Sequence, residues 1–400
     1  MNCRICSSNR LDLVFDLGEQ PWGNNFLTKQ QLGKEEFYPL QLLYCNECSL
    51  SQLSYTVKKE IMFSDHTYLS GSTKSLSKHF KKVCDLLNSR FNKGNKKRSI
   101  LDIGSNDGTF LQHFKNLDWD ILGVESSKKI SEIANNRGIN TIHKFFNLDT
   151  AKDINSKFDF INASGVFFHL EELHSVTDGI KYSLKDDGVF VVQFMYMKNI
   201  MENIAFDQIY HEHLCFYSLH AAKYLVEAMG MKVFDVEIVH MQGRSLRIFA
   251  GKNKAEKSSV KKILDIENEA ELTNENTFLT FGKKVSDNKD NLRTLLLALK
   301  AKGERIVGYG APAKGNTLLN YYGIGPDILD YLTDTTTLKH GLYSPGQHIP
   351  IVSPEKLKTD TPGYILLLAW NFKDAILEKE KNLREKGVKF IVTVPQVEVI

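Results

Sequence analysis

Apolar and polar positions alternate in two blocks of the chain, in the way expected of sheets whose strands are separated by helices. In the first block, short apolar runs that suit buried strands are followed by amphipathic stretches that suit helices. The predicted strands are 99–104, 121–126, 158–165 and 189–194, and the predicted helices are 107–117 and 127–138. This alternation predicts a parallel, doubly wound sheet with helices on both faces.

A second block of the same design begins near residue 304, after a segment over 251–300 that reads as largely helical and ends in an amphipathic helix at 278–301. Its first element is a strand followed by a Gly-rich turn and a helix. Further strands are predicted at 349–353, 363–370 and 388–394. Before residue 70, glycines and prolines separate short strands instead. We therefore expect an α/β protein with three domains, over 1–70, 71–300 and 301–400.

The charge balance argues against a nucleic-acid-binding protein. The 51 basic and 48 acidic residues leave a net charge of only +3, whereas nucleic-acid-binding domains carry a strongly basic face. The longest apolar run, 364–370, suits a buried strand rather than a membrane span, and the N-terminus lacks the apolar core of a signal peptide. These features predict a globular cytoplasmic protein without a membrane partner.

Four cysteines form two C-x-x-C pairs, Cys3 with Cys6 and Cys45 with Cys48. Each pair is short enough to direct two thiolates at one ion, and two pairs complete a tetrahedral site. Disulfides or two unrelated redox pairs are the alternatives, but spaced pairs in a chain without a signal peptide favour zinc. Because the protein fills all four positions, the predicted zinc is structural and not catalytic.

A D-x-G-x-x-x-G motif joins the first strand of the first block to its helix. Gly104 and Gly108 let the backbone approach a ligand closely, with Asp102 just before them. Glu125 ends the next strand, where an acid can accept both ribose hydroxyls of an adenosine. The pattern therefore predicts a site for an adenosine-containing ligand.

The turn of this motif, Asn106-Asp107, favours S-adenosylmethionine over a dinucleotide. Dinucleotide sites have G-x-G-x-x-G, and an acidic turn repels a pyrophosphate but suits the cationic methionine part of S-adenosylmethionine. Another kind of nucleotide-binding sheet is the alternative. The predicted cofactor-binding residues are Asp102, Gly104, Ser105, Asn106, Asp107, Gly108, Glu125, Phe146, Asn162 and Ser164.

The segment 195–217 contains the run Tyr-His-Glu-His at 210–213 and follows the strand 189–194. It therefore lies at the carboxyl edge of the sheet, where doubly wound folds bind ligands. If the run is helical, Tyr210 and His213 share a face; if it is extended, His211 and His213 do. Three roles remain open: a metal site completed by His169 or His174, histidines that satisfy buried polar groups, or a general base.

Several long motifs together resemble the nucleotide-sugar C-methyltransferases, typified by the enzymes that methylate C-3 of dTDP-4-keto-deoxysugars. Besides the paired cysteines, they are DIGSNDGT at 102–109, YHEHLCFYSL at 210–219, GRSLRIF at 243–249, GYGAPAKGNTLLNY at 308–321 and PGQHIPI at 345–351. The resemblance covers essentially the whole chain. It implies a small zinc domain, a central class I (Rossmann-like) S-adenosylmethionine domain and a C-terminal Rossmann-like domain, with the substrate between them.

The resemblance also implies residue roles. His213 is the base that acts on the sugar C-3, and Tyr210 and Glu212 orient it and the sugar. His169 and Tyr68 match two further catalytic positions. In the third block, the glycines, the helix start and Lys314 suggest phosphate binding, although a plain strand–helix turn with a surface lysine is the alternative. The predicted substrate-binding residues are Arg247, Tyr309, Lys314 and Asn316.

One run departs from the family pattern. Relatives have an Asp-Arg-Asn-Pro-like run where this chain has Thr335 to Thr337, which leaves the nucleotide and the sugar open. The expected partners are a nucleotide-linked keto-sugar, S-adenosylmethionine and zinc, and we expect a monomer or weak homodimer. The alternatives are a sugar O-methyltransferase, a zinc-containing nucleic-acid-binding protein and a sugar-nucleotide-binding protein without catalysis.

Overall fold

The computed structural model describes residues 1–63, 69–72, 74–92, 97–239 and 244–400. Tyr68, predicted to be catalytic, lies outside the described residues. The strands are β1 Leu11–Pro21, β2 Phe37–Cys45, β3 Ser51–Leu53, β4 Ser99–Ile103, β5 Asp120–Glu125, β6 Thr141–His143, β7 Phe158–Ser164, β8 Leu184–Met195, β9 Cys215–Phe216, β10 Lys232–Val239, β11 Ser245–Gly251, β12 Ile306–Tyr309, β13 Leu332–Thr333, β14 Ile351–Val352, β15 Tyr364–Leu367, β16 Lys389–Val392 and β17 Glu398–Val399.

Helices connect most of these strands. The α-helices are α1 Lys59–Phe63, α2 Lys74–Phe91, α3 Thr109–Lys115, α4 Lys128–Asn136, α5 Leu148–Ile154, α6 Leu173–Ser183, α7 Met197–Glu202, α8 Leu219–Ala228, α9 Ser258–Glu269, α10 Glu275–Ala301, α11 Ala313–Tyr322, α12 Lys356–Thr359, α13 Lys373–Lys379 and α14 Lys381–Glu385. Short 3-10 turns occur at Lys29–Gln31, Ser70–Ser72, Phe167–His169, Phe206–Gln208, Thr337–Lys339 and Trp370–Phe372. No helix in the described parts of the chain combines the length and apolar character needed to cross a bilayer.

The central sheet has seven strands in the order β10-β11-β8-β7-β4-β5-β6. Its strands β6, β5, β4, β7 and β8 are parallel, and β11 runs antiparallel between β8 and β10. The predicted doubly wound sheet is confirmed. Because β4 and β7 are parallel neighbours, their carboxyl ends place the motif after β4 next to the polar residues that end β7.

The C-terminal sheet has six strands in the order β14-β13-β12-β15-β16-β17, of which only β17 is antiparallel to its neighbour. The second predicted α/β unit is therefore confirmed. Strand order reverses between β12 and β15, and this switch point is where such sheets bind ligands at their carboxyl edge. The Gly-rich turn 310–312 and the start of α11 lie at that edge.

The N-terminal sheet contains a strand from the middle of the chain. Its order is β1-β2-β3-β9, with all three pairings antiparallel. Helix α10 packs on the same sheet through Phe278 against Tyr44, with ring centroids 4.7 Å apart, and through Phe281 against Phe15 at 5.8 Å. Further along α10, the Asn288 amide donates to the Thr393 carbonyl at 3.1 Å. This helix thus joins the first and third sheets through one continuous core.

Candidate active site

The four paired cysteines converge in the N-terminal domain. The Sγ atoms of Cys3 and Cys48 are 3.5 Å apart, as are those of Cys6 and Cys45, and all four lie within 4.8 Å of one another. Four thiolates at about 2.3 Å from a zinc ion in a tetrahedron are roughly 3.8 Å apart. The spacing therefore fits Zn²⁺, and the four ligands leave no coordination position for substrate.

The histidines of the 210–213 run do not form a second metal centre. Among the residues that the structure describes, the four cysteines are the only group of three or more His, Cys, Asp or Glu side chains with metal-binding geometry. His174, a possible third ligand, is exposed on α6. The metal hypothesis for this run therefore finds no support in the described residues.

The motif after β4 forms a tight turn at the carboxyl edge of the central sheet. Gly104, Asn106 and Gly108 all adopt positive φ, at 69°, 50° and 74°. A Cβ on Gly104 would lie 2.5 Å from Val166 Cγ2 and one on Gly108 would lie 2.8 Å from Ile139 Cγ2, so larger residues do not fit.

Two buried acids flank this turn. Glu125 accepts hydrogen bonds from Asn106 N at 3.0 Å and Ser127 N at 2.8 Å, and burial raises its pKa. Asp102 accepts from the Asn162 amide at 2.7 Å, and Ser164 in turn donates to the Asn162 side-chain oxygen at 2.9 Å. Burial raises the pKa of Asp102 to about 7, so a nearby cation would favour its ionised form.

The remaining three predicted cofactor residues are buried against other parts of the protein. Asp107 pairs with Arg137 at 3.1 Å and caps the start of α3 through Thr109. Phe146 packs in the core against Gly179 of α6, where a Cβ added to Gly179 would lie 3.0 Å from Phe146 Cε1. Ser105 is buried beneath Gly123 of β5, whose added Cβ would lie 2.4 Å from the Ser105 hydroxyl. For these three side chains, contact with a cofactor stays a prediction.

Residues 210–213 form a turn that brings two rings together. His213 N donates to Tyr210 O at 2.8 Å, and the ring centroids of these residues are 4.0 Å apart. The two side chains therefore share a face, as the helical alternative predicted. His213 Nδ1 lies 2.7 Å from the Gln208 carbonyl oxygen. Since a carbonyl only accepts, Nδ1 carries the proton and Nε2 carries the lone pair.

Burial keeps this imidazole neutral. Desolvation, together with the electrostatic effect of the neighbouring His169, holds the pKa of His213 well below its usual range. His169 stands on the 3-10 turn after β7, and its ring centroid is 5.1 Å from that of His213. Its Nδ1 donates to the Glu212 carbonyl at 2.5 Å. Burial also raises the pKa of Tyr210 well above its ordinary value, so its phenol stays a neutral donor.

The other two residues of the run face the N-terminal domain. His211 contacts the Tyr38 carbonyl at 3.3 Å, and burial lowers the pKa of His211 to about 4. Glu212 Oε1 accepts from Trp22 Nε1 at 2.7 Å and from Asn24 Nδ2 at 2.6 Å. Sequence reasoning missed Trp22 and Asn24, whose only signal was a Gly-Asn-Asn turn between two strands.

Lys314 and Asn316 also lie where domains meet. The Lys314 ammonium is 3.8 Å from the centre of the Trp370 ring and 4.0 Å from Asp207 Oδ2, and burial lowers the pKa of Lys314 to about 8. Trp370 Nε1 donates to the same Asp207 oxygen at 2.6 Å. Asn316 donates to the Gly23 carbonyl at 2.7 Å. The fully buried Asp207 was not predicted as a site residue.

The other two predicted substrate residues lie in separate clusters. The Arg247 guanidinium on β11 donates to Glu237 at 3.2 Å and to Gln193 at 2.8 Å. The Tyr309 hydroxyl donates to Glu380 at 2.7 Å, next to α13. The structure therefore brings Lys314 and Asn316 to the junction of the domains, whereas Arg247 and Tyr309 have protein partners of their own.

Three family models match consecutive parts of the chain. They are a zinc binding domain over residues 3–63, a methyltransferase domain over 76–236 and a C-methyltransferase C-terminal domain over 240–395. The C-methyltransferase NovU of Streptomyces niveus is 31% identical over 405 aligned residues, which cover 100% of this chain and 96% of NovU.

Solved methyltransferase structures resemble part of the chain. Magnesium protoporphyrin IX methyltransferase of Synechocystis PCC 6803, with bound S-adenosylhomocysteine, gives a TM-score of 0.36 at 10% identity, covering 44% of this chain and 83% of that one. The glycopeptide N-methyltransferase MtfA, complexed with S-adenosylmethionine, gives a TM-score of 0.34 at 12% identity, and the match covers 43% of this chain and 94% of MtfA. The match to NovU and the family models carry the assignment: the chain belongs to the C-methyltransferase family, as an S-adenosylmethionine-dependent enzyme with a zinc-binding domain and a class I methyltransferase domain.

Proposed function

We propose that the enzyme methylates C-3 of a nucleotide-linked 4-keto-deoxysugar, with His213 as the base. The observation that carries the proposal is the protonation state of His213. Its Nδ1 donates to the Gln208 carbonyl at 2.7 Å, so the lone pair is on Nε2, and burial holds its pKa well below the usual range. The imidazole is therefore ready to accept a proton throughout the neutral range.

A 4-ketone makes the C-3 proton acidic, because the electron pair left on carbon delocalises onto the carbonyl oxygen. His213 Nε2 takes that proton, the C–H bond breaks and an enolate forms. Its oxygen needs a donor. The neutral phenol of Tyr210, whose ring centroid is 4.0 Å from that of His213, is suited to this role, as is His169.

S-adenosylmethionine would supply, when bound, the methyl group: its bond to sulfur breaks as its bond to C-3 forms, and S-adenosylhomocysteine leaves. Residues of this chain suited to hold it are the 104–108 turn, Glu125 for the ribose, and Asp102 for the cationic methionine part. The proton on His213 then leaves to solvent, which restores the neutral base for the next turnover.

For the nucleotide, we propose the carboxyl edge of the C-terminal sheet. Support comes from the strand-order reversal beside β12, the start of α11 and the Lys314 ammonium, for which the described residues supply no hydrogen-bond acceptor. Asp334, just before the threonine run, accepts from Ala311 N at 2.8 Å and so shapes this turn. Arg247, Tyr309 and Tyr68 stay predicted substrate or catalytic residues, and 1–70, 71–300 and 301–400 stay the proposed domain limits.

We also propose the cytoplasm as the site of the reaction. Support comes from six free cysteines, four of them arranged for a metal, since thiols stay reduced in that compartment. A monomer or weak homodimer is the proposed assembly.

The position of the new methyl group tests the proposed reaction. The enzyme is incubated with a dTDP-4-keto-6-deoxysugar and S-adenosylmethionine that carries a ¹³C-labelled methyl group, and the product is analysed by NMR. We expect the label in a methyl group bonded to C-3. A methoxy signal would instead establish O-methylation. If the experiment is repeated with each common nucleotide carrier and the sugar stays unlabelled every time, the proposed substrate class is refuted.

A further inference from the structure

The carboxyl group of Glu212 is held by a turn from the N-terminal domain. Trp22 Nε1 at 2.7 Å and Asn24 Nδ2 at 2.6 Å both donate to Oε1. No hydrogen bond among the described residues involves Oε2. The side chain is therefore fixed through one oxygen, and it belongs to the same turn as His213, one residue along the chain.

The turn that carries these two donors is itself fixed. Asn25 N donates to Trp22 O at 3.0 Å, which closes the turn directly after β1. Gly23 lies against α11, where an added Cβ would be 2.9 Å from Ala313 O, and its carbonyl accepts from Asn316. Trp22 and Asn24 thus approach Glu212 from a rigid support.

The two donors act on the ionisation of Glu212 as well as on its direction. Burial raises the pKa of this carboxyl, and the hydrogen bonds from Trp22 and Asn24 oppose that rise because they favour the carboxylate. Burying an acid costs free energy unless the acid is paired, and a contact that is only structural does not need one at this position. The arrangement points to a carboxyl whose charge state matters.

We propose that Trp22 and Asn24 are positioning residues that set the orientation and ionisation of Glu212 for the reaction at His213. This inference rests on the proposed function. It assigns to the zinc-binding domain a role in the chemistry: its inter-strand turn completes the active site that the central domain begins.

The test compares pH profiles of kcat/KM for Trp22→Phe and Asn24→Ala with that of the wild type. Each substitution removes one donor to the carboxylate and so raises the pKa of Glu212 further. A hydrogen bond to a charged group corresponds to a shift of about one pKa unit. Glu212→Gln, which cannot ionise, identifies the limb of the profile that reports Glu212, because that limb is missing in this variant. We expect the midpoint of that limb to lie about one pH unit higher in Trp22→Phe and in Asn24→Ala than in the wild type.

Matched controls separate this effect from general damage. Trp119→Phe removes a buried indole N–H that has no hydrogen-bond partner among the described residues, and Asn25→Ala removes a side-chain amide next to Asn24 in the same turn. Both are expected to keep the wild-type profile. Zinc content and S-adenosylhomocysteine affinity confirm that each variant is folded, and Asn24→Ala carries the test if Trp22→Phe does not fold.

A double-mutant cycle completes the test. In a Glu212→Ala background, Trp22→Phe and Asn24→Ala are expected to cause no further loss of kcat/KM, because the oxygen that accepts from them is gone. Additive losses, an unshifted profile in both variants, or an equal shift in Asn25→Ala would overturn the inference. If wild-type enzyme fails to methylate any keto-sugar carbon, the proposed function fails before the variants are compared, so the two failures are distinguishable.

Discussion

Asp102 shows how burial prepares a single residue for a charged ligand. The carboxyl is buried, its partner is the Asn162 amide at 2.7 Å, and its pKa is raised to about 7. Without ligand, it is therefore largely protonated below that pH. A cation bound beside it favours the ionised form, and binding must then release a proton at acidic pH.

This linkage predicts that affinity for S-adenosylhomocysteine, whose methionine part keeps its ammonium group, rises as pH increases toward 7. The expected change is at most about tenfold per pH unit between pH 5.5 and 7. Asp102→Asn should flatten the dependence, whereas Asp107→Asn should keep it because Asp107 is paired with Arg137. Isothermal titration calorimetry at several pH values checks this, and an equal slope in Asp102→Asn would contradict it.

Strand β9 links the zinc-binding domain to the turn that carries His213. It begins two residues after His213 and pairs with β3, and Leu53 N donates to Leu214 O at 3.0 Å. Gln52 of β3 also accepts a hydrogen bond from Arg4 N at 2.8 Å, between the first two cysteines. The four-cysteine site and the proposed base are therefore connected through a single short sheet.

Loss of the metal should loosen this connection first. In Cys45→Ser, amide hydrogen exchange over 212–217 should be at least about tenfold faster. A tenfold change corresponds to a loss of only about 1.4 kcal/mol of local stability, and bound zinc contributes much more than that to the folding of small zinc domains. Exchange over 99–104 should stay slow, because β4 is in the central sheet. The control is Cys84→Ser, a buried thiol on α2 outside the metal site. Mass spectrometry measures both segments, and unchanged exchange over 212–217 would contradict the link.

These elements differ in how well the sequence predicts them. The apolar runs at 99–104 and 158–165 are long enough to identify β4 and β7, and their alternation with helices predicts the parallel, doubly wound sheet. Strand β9 is two residues long and has no periodicity of its own. Its pairing depends on a partner more than 150 residues earlier, which local patterns do not reveal.

At the scale of the whole molecule, the segment 206–216 lies where all three sheets meet. Glu212 binds Trp22 from the N-terminal domain, Asp207 binds Trp370 from the C-terminal domain, and His213 contacts the edge of the central sheet through Phe168, with ring centroids 4.7 Å apart. Two buried acids on one segment are thus each held by an indole from a different domain.

The sequence identified part of this junction. The roles of His213 and Tyr210 were implied by the resemblance to a known family, since the residues alone left three roles open, and Lys314 was predicted from its place in a Gly-rich turn. Trp22, Asn24 and Asp207 were not, because their significance lies in contacts between segments far apart in the chain. The position of the predicted cofactor residues at the strand end follows from the sequence, but the burial of Ser105 and Phe146 depends on packing against Gly123 and Gly179.

The most direct test of the central claim is exchange of the C-3 hydrogen. The keto-sugar nucleotide is incubated in D₂O with S-adenosylhomocysteine, and NMR follows loss of the C-3 proton signal. Asparagine at 213 keeps an amide donor for the Gln208 carbonyl but has no basic nitrogen, so His213→Asn should slow exchange by about 10²-fold or more while S-adenosylhomocysteine still binds. His211→Asn, which changes a histidine that faces Tyr38, should exchange like the wild type. Exchange that continues unchanged in His213→Asn would contradict the account.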